Sequence, residues 1–186
     1  MPGLCHLRDS RVLVDELLGR VWECGVVEQG AELPVVEFLL RQIEGRLREG
    51  DRTHMWYPTP VSELLGFRLV DVGVGIASIR FEADAAVHGN QQGTVHGGML
   101  CELADAAIGT AHSTAIGAGE SFTSVNFSAT FLRPVWRQTL TATARATHAG
   151  RTISHYLCEI AREDGALVAS ATRTVMTLRG VAGAGR

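Results

Sequence analysis

The run from His96 to Thr114 constrains the fold more than any other part of the chain. It reads His96-Gly97-Gly98-Met99-Leu100-Cys101-Glu102-Leu103-Ala104-Asp105-Ala106-Ala107-Ile108 and continues as Gly109-Thr110-Ala111-His112-Ser113-Thr114. Its length suits a helix, and it is apolar on most sides. Such a helix is expected to be wrapped by other elements rather than laid on a surface. The segments on either side supply the wrapping. Residues 67–72 and 74–83 alternate with a period of two, with Gly73 and Gly75 at the bend. After the helix come four further strand-like runs, at about 122–133, 138–148, 152–163 and 166–178. They are separated by Arg133-Pro134, Ala149-Gly150-Arg151 and Glu163-Asp164-Gly165, and Asp-Gly is a strong hairpin signal. Two strands, one long helix and four antiparallel strands pack most economically as an α+β unit, a single helix wrapped by a curved antiparallel sheet. Residues 84–95 read as a loop.

Residues 1–57 have a different texture and are expected to form an N-terminal helical extension. Val12, Leu13, Leu17, Leu18, Val21 and Trp22 recur at helical spacing. A second pattern runs through Val35, Val36, Leu39, Leu40, Ile43 and Leu47, with Gly50 and Asp51 as its expected stop. Pro58 and Pro60 mark the joint to the main domain (58–180), where Val61 to Leu65 fit one helical turn closed by Gly66. Residues 181–186 read as a flexible tail.

Charge and composition exclude several classes. The net charge is −3, and all 17 basic residues are Arg, so no lysine is present for a Schiff base or a nucleotide-binding loop. Through residue 50, nine Asp and Glu stand against six Arg. The helical extension is therefore not expected to read nucleic acid. Cys5, Cys24, Cys101 and Cys158 are scattered, and neither they nor the seven histidines make a metal-ligand pattern. No metal or cofactor is expected. The N-terminus lacks the basic patch and apolar run of a signal peptide, and no stretch is long enough to span a membrane. A soluble cytoplasmic protein without membrane contact is the expectation.

Within this order of elements, Asn90-x-x-Gly93-Thr94-Val95-His96-Gly97-Gly98 precedes Leu103-Ala104-Asp105. Phe131-Leu132-Arg133-Pro134, Gly150-Arg151 and Asp164-Gly165-x-Leu167-Val168-Ala169 follow. Over residues 60–180 the chain resembles the hotdog-fold thioesterases of the phenylacetate-pathway and 4-hydroxybenzoyl-CoA thioesterase type. The resemblance implies hydrolysis of an acyl-CoA, with small aryl or medium-chain acyl groups as the expected substrates, by a homodimer or homotetramer. The carrier could equally be an acyl carrier protein. A non-catalytic acyl-CoA-binding module is the alternative, against which Asp105 argues. A hotdog hydratase would use a catalytic His in a different motif, which is absent.

The chemistry has two requirements. A developing oxyanion must be stabilised, and water or a carboxylate must be delivered to the thioester carbonyl. The first suits a helix N-terminus, whose leading N–H groups lack intrahelical partners. The resemblance nominates the Gly97 N–H as donor, with Gly98 beside it leaving the backbone bare. It implies that Asp105 is nucleophile or general base. In a helix, eight residues separate Gly97 from Asp105 by roughly 12 Å, too far for both to act on one carbon. A shared site is expected, with Gly97 from one subunit and Asp105 from another. Glu102 lies on roughly the same helix side. The resemblance places Asn90 as a group orienting substrate or water, and Ser124 or its neighbour Thr123 as a hydroxyl near the thioester. His96 is expected to orient the loop. Arg133 and Arg151 are candidates for the CoA phosphates. Trp136-Arg137-Gln138 departs from relatives in which a glycine is common.

Overall fold

The computed structural model of the protein describes residues 30–180. The expected first helix over Val12–Trp22 and the tail at 181–186 lie outside these residues. The described chain forms helices α1 (Val35–Ile43) and α2 (Pro60–Leu65), strands β1 (Arg68–Gly73) and β2 (Ile76–Asp84), then helices α3 (Ala85–His88) and α4 (Gly97–Ser113). Strands β3 (Ser121–Phe131), β4 (Arg137–Ala149), β5 (Ile153–Arg162) and β6 (Leu167–Leu178) complete it. The six strands make one antiparallel sheet in the order β1-β2-β4-β5-β6-β3. This is the expected hotdog architecture, with α4 as its central helix.

The period-2 pattern explains how the sheet receives the helix. On β2, Ala77, Ile79, Phe81 and Ala83 are buried, and on β4 Leu140, Ala142 and Ala144. On β5, Tyr156, Cys158 and Ile160 are buried, and on β6 Ala169, Ala171, Arg173, Val175 and Thr177. The alanines along these stripes let the helix approach closely. Helix α4 turns Leu100, Leu103, Ala104, Ala107, Ile108 and Ala111 into the sheet, a spacing of one helical face. Its opposite side, with Cys101, Glu102, Asp105, Ala106 and Gly109, is only half-buried. Within one chain the helix is wrapped on one face, and residues 55–62 partly cover the other.

Three local features differ from the sequence expectation. Helix α1 stops at Ile43, before Leu47. Gly45 has φ +66°, and the Gly45 N–H donates to the Gln42 carbonyl while the Arg46 N–H donates to that of Arg41. This pair of bonds closes a helix wherever a glycine takes the left-handed conformation, so Gly45 rather than Gly50 is the stop. Residues 85–88 are a helical turn, because the Asp84 carboxylate accepts the Ala86 N–H at 2.8 Å as an N-cap. The Trp136-Arg137-Gln138 turn manages without glycine, because the Gln138 side-chain oxygen accepts the Trp136 N–H.

The described part of the extension shares the core of the sheet. Leu33, Val35, Phe38 and Leu39 are buried in the same apolar cluster as Phe81 and Leu103, and α1 lies against β1. Asp51 fixes the chain behind α1. Its carboxylate accepts N–H groups from Ala31 and Arg48 and a bond from Arg41. The backbone donors, Ala31 first, hold its carboxyl below the usual carboxylate range. Gly66 closes α2 in the left-handed conformation, as the sequence indicates, and Thr59 caps its start. Among the described residues, no helix is long and apolar enough to cross a membrane.

Candidate active site

Asp105 sits on the half-covered side of α4, at a cleft of about 230 Å³. Met55, Trp56, Tyr57, Thr59, Val61 and Ser62 form one wall, and Glu102, Asp105, Ala106, Gly109 and Thr110 of α4 form the other. Phe122 and Arg173 complete the lining. The lining is mostly apolar, and its charged groups, Glu102, Asp105 and Arg173, lie together. Tyr57 is anchored by its hydroxyl, 2.6 Å from Ser113 Oγ. Trp56 is 76% exposed at the rim.

The group that organises the cleft is one the sequence reading missed. Arg173 Nη1 forms an ion pair with Asp105 Oδ1 at 2.9 Å and donates a hydrogen bond to the Asp105 carbonyl at 3.1 Å. Its Nη2 donates to Ser124 Oγ. Arg173 belongs to the buried stripe of β6 and its side chain is 6% exposed. Burial lowers its pKa, and the charges of Asp105 and Glu102 oppose that. Glu102 borders the same cleft. Burial, and then the Asp105 charge, push its carboxyl above the usual carboxylate range, with Arg173 opposing. Arg173 could have been found in the sequence as a charged residue in phase with Ala169, Ala171 and Val175.

The register of β3 distinguishes Ser124 from Thr123. Phe122 packs edge-on against His112, with ring centroids 5.0 Å apart, and so faces α4. Ser124 follows two residues later on the same face. The pairing with β6 shifts between Ser124 and Asn126. This bulge returns Phe127, Ala129 and Phe131 to the helix side. Thr123 points away.

At the N-terminus of α4, His96 Nδ1 accepts the Gly98 N–H at 2.9 Å. The His96 N–H itself donates to the His88 carbonyl. His96 therefore caps the helix and orders the loop, and it occupies the Gly98 donor. The Gly97 N–H has no partner among the described residues. A Cβ at Gly97 would lie 3.0 Å from Phe131 Cζ, so a side chain there would have to push the exposed Phe131 ring aside. Asn90 Oδ1 accepts N–H groups from Gln92 and Thr94, and its Nδ2 meets Thr94 Oγ1. Its amide shapes the 90–94 turn.

Asp105, Ser124 and Arg173 are thus brought together, and Gly97 is not among them. Gly97 and Asp105 lie on one regular helix, roughly 12 Å apart by helical rise. Arg133 donates to the Leu167 carbonyl at the start of β6. Arg151 lies beside Thr152, which bonds Thr177 near the end of β6. Ten residues of strand, roughly 33 Å, separate these positions, so a single chain does not join the two arginines in one groove. A larger open groove of about 930 Å³, lined by Glu82, Asp84, His88, Arg137, Arg162 and Asp164, contains none of the predicted residues. Most of its lining is charged or polar, so the smaller, mostly apolar cleft at Asp105 better matches an acyl group. Among the described residues, no three His, Cys, Asp or Glu side chains converge as a metal site.

Comparisons with known proteins bear on this arrangement. The family model of the thioesterase superfamily matches residues 92–169. The PaaI protein of the E. coli phenylacetic acid degradation operon is 27% identical, over 66% of this chain and 87% of its own, with a TM-score of 0.61. The phenylacetic acid degradation protein PaaI of Thermus thermophilus, solved as a mutant, is 30% identical over 63% of this chain and 98% of its own, with a TM-score of 0.58. A putative thioesterase of Ralstonia eutropha, described as related to phenylacetic acid degradation, is 28% identical over 75% and 98%, with a TM-score of 0.61. No curated protein sequence matches the chain.

Proposed function

This chain belongs to the thioesterase superfamily and is a thioester hydrolase, and from that premise we propose that it hydrolyses acyl-CoA carrying a small aryl or medium-chain acyl group. The observation that carries the reading is the Asp105 carboxylate, held by Arg173 at the edge of a mostly apolar cleft. In the proposed reaction the acyl group enters between Met55, Trp56 and Phe122. Asp105 attacks the thioester carbonyl or activates a water for attack. The carbonyl oxygen gains negative charge and is received by the Gly97 N–H, strengthened by the positive end of α4. The CoA thiolate leaves and takes a proton. Where water attacked, the free acid is the other product. Where Asp105 attacked, a water then hydrolyses the acyl–Asp105 anhydride to the acid and the free carboxylate.

Because Gly97 and Asp105 of one chain are separated along the helix, each site takes Gly97 from a second copy. The open edge of β3 supports this. Among the described residues β3 pairs only with β6, and it carries exposed Val125 and Phe131. An eleven-residue edge strand is a surface that a monomer rarely leaves unprotected. Homodimers, or tetramers built from them, satisfy both requirements.

The test is release of free CoA from phenylacetyl-, benzoyl-, octanoyl- and palmitoyl-CoA, corrected for the protein's own thiols. The proposal expects turnover of at least one of the first three, with palmitoyl-CoA the poorest because the cleft holds only about 230 Å³. A protein that binds these thioesters without cleaving any would overturn it.

A further inference from the structure

The position of Arg173 is costly in a way that the fold does not explain. It stands in the helix-facing stripe of β6 between Ala171 and Val175, where every neighbour in phase is apolar or small. A buried guanidinium loses its hydration, and a single half-exposed carboxylate repays little of that. Asp105 is 46% exposed, and Arg173 Nε is buried without a partner. A leucine or methionine at this position would close the core at less cost. Glu102 and Asp105 of α4 are the charged groups facing it.

The directions of its hydrogen bonds indicate its use. An arginine only donates. Ser124 Oγ must therefore accept from Nη2, which leaves the serine's own hydrogen free to donate away from the guanidinium. Asp105 is held by an ion pair at its carboxylate and by a hydrogen bond at its carbonyl, so the guanidinium fixes the side chain and the helical turn that carries it. One Asp105 oxygen is taken and the other is left for the reaction.

We infer that Arg173 is a positioning residue for thioester hydrolysis, holding the Asp105 carboxylate in one rotamer and turning the Ser124 O–H outward as a hydrogen-bond donor toward the substrate or the attacking water. The inference rests on the acyl-CoA thioesterase reading. Arg173 touches no reacting atom and acts through these two groups. A guanidinium reaches the two groups from separate nitrogens in a fixed planar fork, whereas an ammonium must offer all three of its donors from one freely rotating nitrogen.

The experiment compares kcat and KM of wild type, Arg173→Lys, Arg173→Met and Ser124→Ala on the best acyl-CoA, with circular dichroism to confirm folding. Arg173→Met is expected to lower kcat about 100-fold with KM within about threefold of wild type, because misplaced reacting groups cost rate rather than binding. Arg173→Lys is expected to recover part of that loss. Adding Ser124→Ala to Arg173→Lys should cost less than Ser124→Ala does alone, because the lysine has already released the serine. A folded Arg173→Met with kcat within threefold of wild type overturns the inference. If Arg173→Met does not fold, additive effects of Arg173→Lys and Ser124→Ala overturn it instead, and coupled effects uphold it. If wild type cleaves no thioester, the thioesterase reading fails on its own. A crystal structure of Arg173→Lys then decides the positioning claim, a displaced Asp105 carboxylate upholding it and an unmoved one overturning it.

Discussion

Replacing His112 by glutamine should remove a large part of the acid sensitivity of folding. His112 is buried under the end of α4, with Nδ1 3.1 Å from the Tyr156 hydroxyl and Nε2 3.1 Å from Thr177 Oγ1. Burial, and then the nearby Arg173 charge, lower its pKa from 6.5 to about 4. The neutral ring is therefore the folded form, and the unfolded chain binds the proton more readily. The resulting stabilisation is complete above pH 6.5 and is lost as pH falls through 4. Each pKa unit is worth about 1.4 kcal/mol, so full titration removes about 3 kcal/mol, which solvent screening reduces to roughly 2 kcal/mol. Between pH 7.5 and pH 5 the expected loss is about 1–2 kcal/mol. Glutamine can bond both Tyr156 and Thr177 and does not titrate. Urea unfolding of both proteins at the two pH values, at one protein concentration, isolates the effect. Wild type should lose about 1–2 kcal/mol more than His112→Gln across this interval. Equal losses would refute the assignment of a buried neutral histidine.

Two further outcomes follow from the site. Trp56→Ala should lower kcat/KM for phenylacetyl-CoA about tenfold, the value of one lost aromatic contact, and leave acetyl-CoA nearly unaffected. An equal effect on both substrates would remove Trp56 from the acyl wall. Subunit mixing checks the shared site. Gly97→Pro removes the N–H at a first helical position where proline is tolerated. Equal mixing of that variant with Asp105→Asn, each inactive alone, should restore about a quarter of wild-type activity, because half the dimers would carry one intact site. No restoration after proven exchange would place the whole site in one chain.

Much of this could be read from the sequence because it depends on local rules. Period-2 alternation located the strands, Asp164-Gly165 marked a hairpin and Gly66 the end of α2, and the largely apolar run from His96 marked α4. The family resemblance nominates Asp105, through Leu103-Ala104-Asp105 following His96-Gly97-Gly98. What escaped depended on side-chain caps and on register. Asp84 as a cap made residues 85–88 helical, and Gly45 stopped α1 through a bond pair that hydrophobic spacing does not encode. The bulge between Ser124 and Asn126 decided that Ser124 faces the helix, and alternation alone cannot locate a bulge. Arg173 escaped for a related reason. A strand can carry an arginine on either face, and only the phase set by Ala169, Ala171 and Val175 shows that this one points inward.

The account depends on Asp105 acting in thioester hydrolysis. The most direct measurement compares CoA release by wild type and Asp105→Asn on the best acyl-CoA of the panel, at matched folded concentration. Asparagine keeps the size and one hydrogen-bond acceptor for Arg173 but can neither attack nor take a proton. The account predicts a fall in kcat of about 10²–10⁴-fold with thermal stability nearly retained. A folded Asp105→Asn protein that turns over at the wild-type rate would contradict it.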